Sequence, residues 1–208
     1  MSYNPKLHHR RSIRLRGYDY SQQGVYFITL CLQNRRHLFG RVHNKTMLLS
    51  AMGQIAHQHW LQLTERWPHL ELGAFQVMPN HFHGVLIVGV PVGVPLAGTQ
   101  TPDEIPDADP VGKPLAGSQE RAPARGAPTA ARGAPTATVG EIIGAYKSLV
   151  ATDCLKLFKK EHPGKQLGKF WQRDYWEHII RDQRAFDNIS NYIVQNPAKW
   201  DEDRFYEK

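Results

Sequence analysis

Two histidines one residue apart form the short pattern most suited to chemistry in this chain. His81 and His83 lie in MPNHFHGVLIV, residues 78–88, directly before an apolar run. Residues i and i+2 of a β-strand point to the same face, so the two imidazoles should share a face while Phe82 points to the other. Such a pair can bind one divalent metal ion. The alternative is structural: one histidine follows a turn at Asn80 and the other is a half-buried polar group.

A second pair of candidate side chains lies near the C-terminus, in NYIVQNP. Tyr192 and Asn196 are four residues apart, so a helix would place them on one face. There, the Asn196 side-chain carbonyl oxygen could bind a metal ion with the Tyr192 hydroxyl beside it. Tyrosine at such a position is also common in protein cores, and asparagine before proline also ends helices, so both structural roles stay open.

The elements that must position these side chains follow from hydrophobic periodicity. Residues 24–33, GVYFITLCLQ, predict a buried strand, and LGAFQVMPNHFHGVLIVG predicts two strands joined at MPN. LSAMGQIAHQHWLQLTERWP predicts a helix with Ser50 as its N-cap and Pro68 at its end. TVGEIIGAYKSLVATDCLKLFKK predicts a second helix.

The last two predicted elements complete the fold. KFWQRDYWEHIIRD predicts a fourth strand, and QRAFDNISNYIVQNPAKW predicts a final helix broken near Pro197. The order βαββαβα predicts an α+β fold: a ferredoxin-like antiparallel sheet (βαββαβ) with helices on one face plus a C-terminal helix.

Composition divides the chain into three parts. Residues 1–23 form a basic N-terminal arm, and residues 24–88 and 139–208 together have the patterning of one compact domain. Residues 89–138 are dense in Pro, Gly, Ala and Thr and contain short repeats such as ARGAPTA. They cannot bury enough apolar surface to offset their ordering entropy, so we predict a low-complexity, disordered insertion.

The charge balance favours a polyanionic partner. Lys and Arg number 26 against 19 Asp and Glu, a net charge of +7, which favours nucleic acid over a membrane surface. The functional reading of the basic residues is contact with phosphate groups; the alternative is a solvated charged surface. The candidates are Arg10, Arg11, Arg14 and Arg16 in the arm, Arg35 and Arg36 after the first strand, and Lys147 in the second helix.

Cysteine usage and hydropathy predict a reducing compartment. The two cysteines, Cys31 and Cys154, lie inside predicted core elements and are too few for a disulfide framework. The N-terminal residues lack the apolar run of a signal peptide, and no stretch is long and apolar enough to span a membrane. We therefore expect a cytoplasmic protein without a membrane partner.

Three motifs in order give the chain a resemblance to a known family. MPNHFHGVLIV, FWQRDYWEHIIRD and ISNYIVQNPAKW, preceded by GVYFITLCLQNRRHLFG, resemble the HUH-type single-tyrosine (Y1) transposases of the IS200-like class. Among these the chain is most similar to the REP-associated tyrosine transposase branch. The resemblance covers essentially all residues outside the insertion.

This resemblance implies a metal-dependent enzyme that nicks and joins single-stranded DNA near hairpins or palindromic repeats. By motif, His81 and His83 are the paired metal ligands and Tyr192 is the nucleophile, which forms a 5′-phosphotyrosine intermediate. Asn196 takes the third ligand position, where IS200-type enzymes usually carry glutamine. Two nitrogens and one amide oxygen suit Mg²⁺ or Mn²⁺, and the reaction needs no organic cofactor.

Two other functions are compatible with parts of the sequence. The ferredoxin-like sheet could bind single-stranded or hairpin nucleic acid without cutting it, although a binding surface needs neither the histidine pair nor Tyr192. A host-retained enzyme that cleaves repeated palindromes is indistinguishable from a mobile one by sequence. Both a monomer and a homodimer, with Tyr192 serving its own or a partner's histidines, are compatible with the sequence.

Overall fold

A computed structural model describes residues 23–89 and 137–206. Arg10, Arg11, Arg14 and Arg16 of the predicted arm, and residues 90–136 of the predicted insertion, lie outside the described residues. The strands are β1 (Gly24–Cys31), β2 (Gly40–His43), β3 (Thr46–Leu49), β4 (Leu70–Val77), β5 (His81–Val88) and β6 (Trp176–Ile180). The α-helices are α1 (Ala51–Leu61), α2 (Leu63–Arg66), α3 (Val139–Glu161) and α4 (Gln183–Gln195), and 3₁₀ helices span Gln33–Arg35 and Asn196–Glu202.

Four strands form one antiparallel sheet in the order β4-β5-β1-β6. Strands β1 and β5 are central, so both of their faces are covered and nearly all of their residues are buried. In the register of these two strands, Cys31 pairs with His81 and Thr29 with His83. This strand order, with its two helical crossovers, confirms the predicted ferredoxin-like class.

Helices α1 and α3 cover one face of the sheet. The core on that side is large and aromatic, and Trp60, Phe82 and Tyr146 pack together with ring centroids 4.5–5.5 Å apart. Gly84 of β5 lies directly under Trp60, and a Cβ at that position would collide with the indole. The glycine therefore allows the helix to approach the sheet closely.

Helix α4 covers the opposite face with a smaller core. Val25, Phe27 and Val85 of the sheet pack there against Ile189 and Ile193. Because side chains alternate along a strand, the residues that flank Phe82 on β5 point to this second face. The C-terminal helix thus lies over the strand that carries the two histidines.

Side-chain caps fix where the helices begin. The Ser50 hydroxyl accepts a hydrogen bond from the Gly53 amide at 3.1 Å, which confirms the predicted N-cap of α1. A carboxylate oxygen of Asp182 accepts from the Ala185 amide at 2.7 Å and starts α4. Asp182 therefore sets the position of the helix that carries Tyr192.

The structure differs from the predicted elements in three places. A two-stranded hairpin, β2–β3, was not predicted. Its turn residues Asn44 and Lys45 both have positive φ, at 48° and 61°, but neither is a glycine, the residue that usually indicates such a turn in a sequence. The helix predicted to run to Pro68 is divided at Gln62 into α1 and α2. The last strand is shorter than predicted, and only an isolated bridge joins Trp171 to Leu32.

Within residues 23–89 and 137–206, the helices fall short of the length and apolar character that crossing a bilayer requires.

Candidate active site

His81 and His83 lie side by side at the start of β5, on the face covered by α4. Both are fully buried, and their ring centroids are 4.5 Å apart. The predicted sharing of one face by the two imidazoles is therefore observed.

The Nδ1 atom of each histidine is held by a neighbouring side chain. Asn80 Oδ1 lies 2.8 Å from His81 Nδ1, and Thr29 Oγ1 lies 2.8 Å from His83 Nδ1. The Asn80 amide is oriented by its Nδ2, which donates to the carbonyl of Phe205 at 2.7 Å. Since Asn80 thus presents its oxygen to His81, Nδ1 of His81 carries the proton and Nε2 carries the lone pair.

Both imidazoles are neutral at physiological pH. Burial, followed by the charge of Arg204, lowers the pKa of His83 to about 3. Burial, followed by the neighbouring His83 and by Arg204, also lowers the pKa of His81 well below its ordinary value. Neutral imidazole is the form that binds metal ions, so neither histidine would have to release a proton before a cation binds.

Helix α4 brings Tyr192 to the histidine pair of the same chain. Its Oη lies 3.4 Å from His83 Nε2, and its ring meets Phe27 edge to face at 6.3 Å between centroids. The Tyr192 side chain is partly exposed. A hydroxyl beside one histidine of a buried pair, on a side chain that is partly exposed, is a suitable position for a nucleophile.

Asn196 and an unpredicted residue, Asp203, complete the polar cluster. Asn196 is buried, and its Nδ2 donates to Asp203 Oδ2 at 2.8 Å. Ligand atoms of His81, His83 and Asp203 all lie within 4.8 Å of one another. Sequence reasoning missed Asp203 because it follows the predicted helix in an acidic surface-like stretch, AKWDEDRF, with no spacing that relates it to the histidines.

The donor atoms of this cluster fit a divalent cation. His81 Nε2 and Asn196 Oδ1 are buried and have no hydrogen-bond partner among the described residues. Buried polar atoms normally have partners, and these two are both lone-pair donors. Two imidazole nitrogens with carboxylate and amide oxygens could hold a metal ion such as Mn²⁺ or Mg²⁺.

Two of the predicted phosphate-binding residues are engaged in structural contacts. Arg36 donates to the carbonyls of Leu167 and Lys169, each at 2.7 Å. Lys147 donates to the carbonyls of Gln172 and Arg173 at 2.8 and 3.1 Å, and burial lowers its pKa. Both side chains thus hold the connection between α3 and β6, and their contact with DNA stays a prediction.

Arg35 is the predicted basic residue that lies beside the cluster. Its guanidinium lies over the ring of Phe205, 5.6 Å from the centroid, and Phe205 packs on His81 at 4.5 Å between centroids. Arg204, a residue not among the predicted ones, also lies over Phe205, 4.7 Å from the ring centroid.

Comparisons with known proteins find sequence relatives and related solved structures. No protein-family model matches the chain. A protein named "Putative REP-associated tyrosine transposase" from Haemophilus influenzae is 23% identical over 87% of this chain and 74% of its own. A solved REP-associated tyrosine transposase bound to a REP hairpin superposes with a TM-score of 0.50, at 20% identity over 90% of this chain and 73% of its own. At that identity, the match shows a shared fold.

A second sequence relative is more similar and matches along its whole length. It is an uncharacterised protein of Haemophilus influenzae, 32% identical over 210 aligned residues, which cover 98% of this chain and 97% of the relative. This degree of identity over the full length of both chains shows that the chain belongs to the same family as this Haemophilus influenzae protein.

Proposed function

We propose that the chain is a metal-dependent endonuclease and strand transferase for single-stranded DNA, with Tyr192 as its nucleophile. The observation that carries the proposal is the 3.4 Å approach of Tyr192 Oη to His83 Nε2 at a buried pair of neutral histidines. A tyrosine hydroxyl has an ordinary pKa of about 10 and is a poor nucleophile unless it is activated. A site that brings it to metal-binding side chains supports phosphoryl transfer over simple binding.

His81, His83 and Asp203, with Asn196 beside them, are the side chains that would hold the metal ion. When bound there, Mg²⁺ or Mn²⁺ would stabilise negative charge on a phosphate oxygen of the substrate. Asn80 and Thr29 hold the two imidazoles in orientation through their Nδ1 atoms. The protein therefore contributes a preformed set of donors and a positioned hydroxyl.

The chemical step exchanges one phosphodiester for another. Tyr192 Oη forms a bond to phosphorus and loses its proton, and the bond from phosphorus to the 3′ oxygen breaks. That oxygen leaves as a 3′-hydroxyl after taking up a proton, and the 5′ end stays on the enzyme as 5′-phosphotyrosine. The phosphodiester energy is retained, so another 3′-hydroxyl can reverse the step and join a new strand without ATP or an organic cofactor.

Three observations support single-stranded DNA with hairpins as the substrate. The chain carries a net charge of +7, which favours a polyanion. Arg35 and Arg204 lie beside the histidine cluster. The related solved structure is a REP-associated tyrosine transposase bound to a REP hairpin. Within the HUH-type single-tyrosine class, we therefore assign the chain to the REP-associated branch.

The test is the formation of a covalent adduct with DNA. Wild-type protein is incubated with hairpin oligonucleotides from the DNA that flanks its gene, in Mg²⁺, in Mn²⁺ and in a chelator, and then run on a denaturing gel. We expect a protein–DNA adduct that needs metal and is absent in Tyr192→Phe.

Tyr206→Phe is the matched control, because it removes a tyrosine hydroxyl from the same C-terminal segment, where the Tyr206 ring packs against Trp200 at 5.5 Å between centroids. It should retain the adduct. Metal-dependent cleavage that persists in Tyr192→Phe would indicate a water nucleophile or another tyrosine. Binding without cleavage would instead identify a nucleic-acid-binding module.

A further inference from the structure

Trp176 is an exposed aromatic residue on the face of the sheet that carries the histidines. It is 38% exposed and begins β6, the edge strand. In the sheet register Thr29 pairs with His83 on one side and with Trp176 on the other. Directly opposed residues of antiparallel strands share a face, so Trp176, Thr29 and His83 form one row. Two strand spacings separate Trp176 from His83, roughly 10 Å between their backbones.

Arg204 connects this tryptophan with the histidine cluster. Its guanidinium lies 5.8 Å from the Trp176 ring centroid and 4.7 Å from the Phe205 centroid, while the residue is exposed. Phe205 in turn packs on His81 and His83, at 4.5 and 6.2 Å between centroids. Contacts with two rings limit where the guanidinium can go, so its charge stays beside the cluster.

The side chains beside the cluster suit a DNA strand. The guanidinium groups of Arg204 and Arg35 both lie over the ring of Phe205, 4.7 and 5.6 Å from its centroid. A guanidinium group can donate hydrogen bonds to the oxygens of a phosphate. A phosphodiester supplies such oxygens, and an unpaired base beside it has a π-face to place on an indole.

We propose that Trp176 and Arg204 form a nucleotide subsite, in which Arg204 binds a backbone phosphate next to the cleaved one and Trp176 stacks on the adjoining unpaired base. This inference rests on the proposed function, because it assigns part of the same DNA substrate to the β6 edge. The subsite positions the strand and takes no part in the chemical step.

The chain contains a matched control for this pair. Arg66 lies over Trp67 at 5.1 Å from the ring centroid, at the opposite end of the sheet, just before β4. The two pairs have the same composition and similar geometry, but only Trp176 and Arg204 lie beside the histidines. Loss of either control side chain should therefore leave DNA binding unchanged.

The experiment measures equilibrium binding by fluorescence anisotropy, in the full-length Tyr192→Phe background, so that cleavage cannot interfere. The probe is a labelled hairpin with single-stranded flanks, from the DNA beside the gene, prepared intact and with single abasic sites placed along each flank. We expect Trp176→Ala to weaken binding roughly ten-fold, within the range found for base stacking on aromatic residues, and Trp176→Phe to retain most of the affinity.

The abasic probes identify the stacked base. At one position, an abasic site should lower the affinity of the protein that retains Trp176. The same abasic site should not lower the affinity of the Trp176→Ala variant any further. Arg204→Ala should reduce the slope of log K against log salt by about 0.7, the value for one phosphate contact on a single strand, whereas Arg66→Ala should not.

Two results would overturn the subsite: Trp176→Ala binding no more weakly than Trp67→Ala, or identical abasic profiles with and without Trp176. If wild type forms the covalent adduct while either result holds, the subsite is wrong and the proposed function stands. If Trp176-dependent binding is found but wild type forms no adduct, the subsite stands and the nuclease assignment fails. Absence of any binding to the probes overturns both.

Discussion

The two faces of the sheet bury different kinds of side chain. The face under α1 and α3 is packed with aromatic and aliphatic residues, with Trp60 and Tyr146 at its centre. The face under α4 has a smaller apolar core and buried polar residues: His81 and His83 at the start of β5, and Asn196 at the end of α4. The first face is an ordinary apolar core, whereas the second also buries polar groups that could bind a metal ion.

This difference separates stability from function within one small sheet. A buried polar atom without a partner costs roughly 1–3 kcal/mol, and His81 Nε2 and Asn196 Oδ1 are lone-pair donors of this kind on the α4 face. A ligand that supplies a partner would offset that cost. Substitutions on the two faces should therefore fail in different ways, the first in folding and the second in binding and chemistry.

The largest stability effect is expected on the α1–α3 face. Trp60→Ala removes a fully buried indole and should lower the free energy of unfolding by about 3–5 kcal/mol, measured by urea denaturation. Trp176→Ala, on the other face and exposed, should change it by less than about 0.5 kcal/mol. Equal losses from the two tryptophans would contradict the division between the faces.

The next effect is a pH dependence that belongs to the α4 face. The pKa of His83 is lowered to about 3 and that of His81 is lowered by burial, so below pH 6.5 the unfolded chain takes up protons that the folded chain does not. This contribution to stability is therefore fully present above pH 6.5 and falls with decreasing pH, by about 2 kcal/mol for His83 between pH 7 and pH 5, with a loss of the same sign for His81. Urea denaturation in chelator measures the loss.

The double variant His81→Gln, His83→Gln is the control for this pH dependence. It should lose most of the dependence of stability on pH. A small part should remain from groups such as His178, whose pKa is also lowered by burial. An unchanged slope in the double variant would show that the two histidines are not the source.

Metal binding tests which oxygen ligand completes the histidine pair. Asp203→Asn should weaken Mn²⁺ binding roughly ten-fold or more, because it removes the carboxylate that lies within ligand distance of both imidazoles. Asp201 is exposed in the 3₁₀ helix that ends just before Asp203, and Asp201→Asn should bind Mn²⁺ as wild type does. Isothermal titration calorimetry measures the Mn²⁺ affinity of both variants. Unchanged affinity in Asp203→Asn, with a loss in Asn196→Ala, would identify Asn196 as the third ligand instead.

The smallest effect concerns a helix cap away from the site. Ser50→Ala removes the hydroxyl that accepts from the Gly53 amide and should lower the free energy of unfolding by about 1 kcal/mol. Thermal denaturation with and without Mn²⁺ should show the same metal-induced shift as in wild type. A smaller shift would mean that the α1 side of the molecule also supports the metal site.

Local patterns in the sequence predicted most of the fold and part of the site. Alternation placed His81 and His83 on one face, and the four-residue spacing of Tyr192 and Asn196 placed both on one side of the terminal helix. These relations follow from the periods of strands and helices, which depend only on neighbours along the chain. The Ser50 cap was predicted for the same reason.

Contacts between distant segments could not be predicted in this way. Asp203 reaches the histidines because the chain turns back after α4, with Trp200 and Phe205 buried beneath it. Arg36 and Lys147 are held by backbone carbonyls of the segment between α3 and β6, a use that basic composition does not reveal. Such positions depend on tertiary packing, for which a single sequence offers no periodic signal.

Tyr192 is the side chain that we propose attacks a DNA phosphate. The most direct measurement is tandem mass spectrometry of peptides from wild-type protein after reaction with a hairpin oligonucleotide in Mn²⁺ and digestion of the DNA. We predict a nucleotide mass on the peptide that contains Tyr192, absent when chelator replaces the metal. A nucleotide on any other residue, or cleaved DNA with no modified peptide, would contradict the assignment of Tyr192 as the nucleophile.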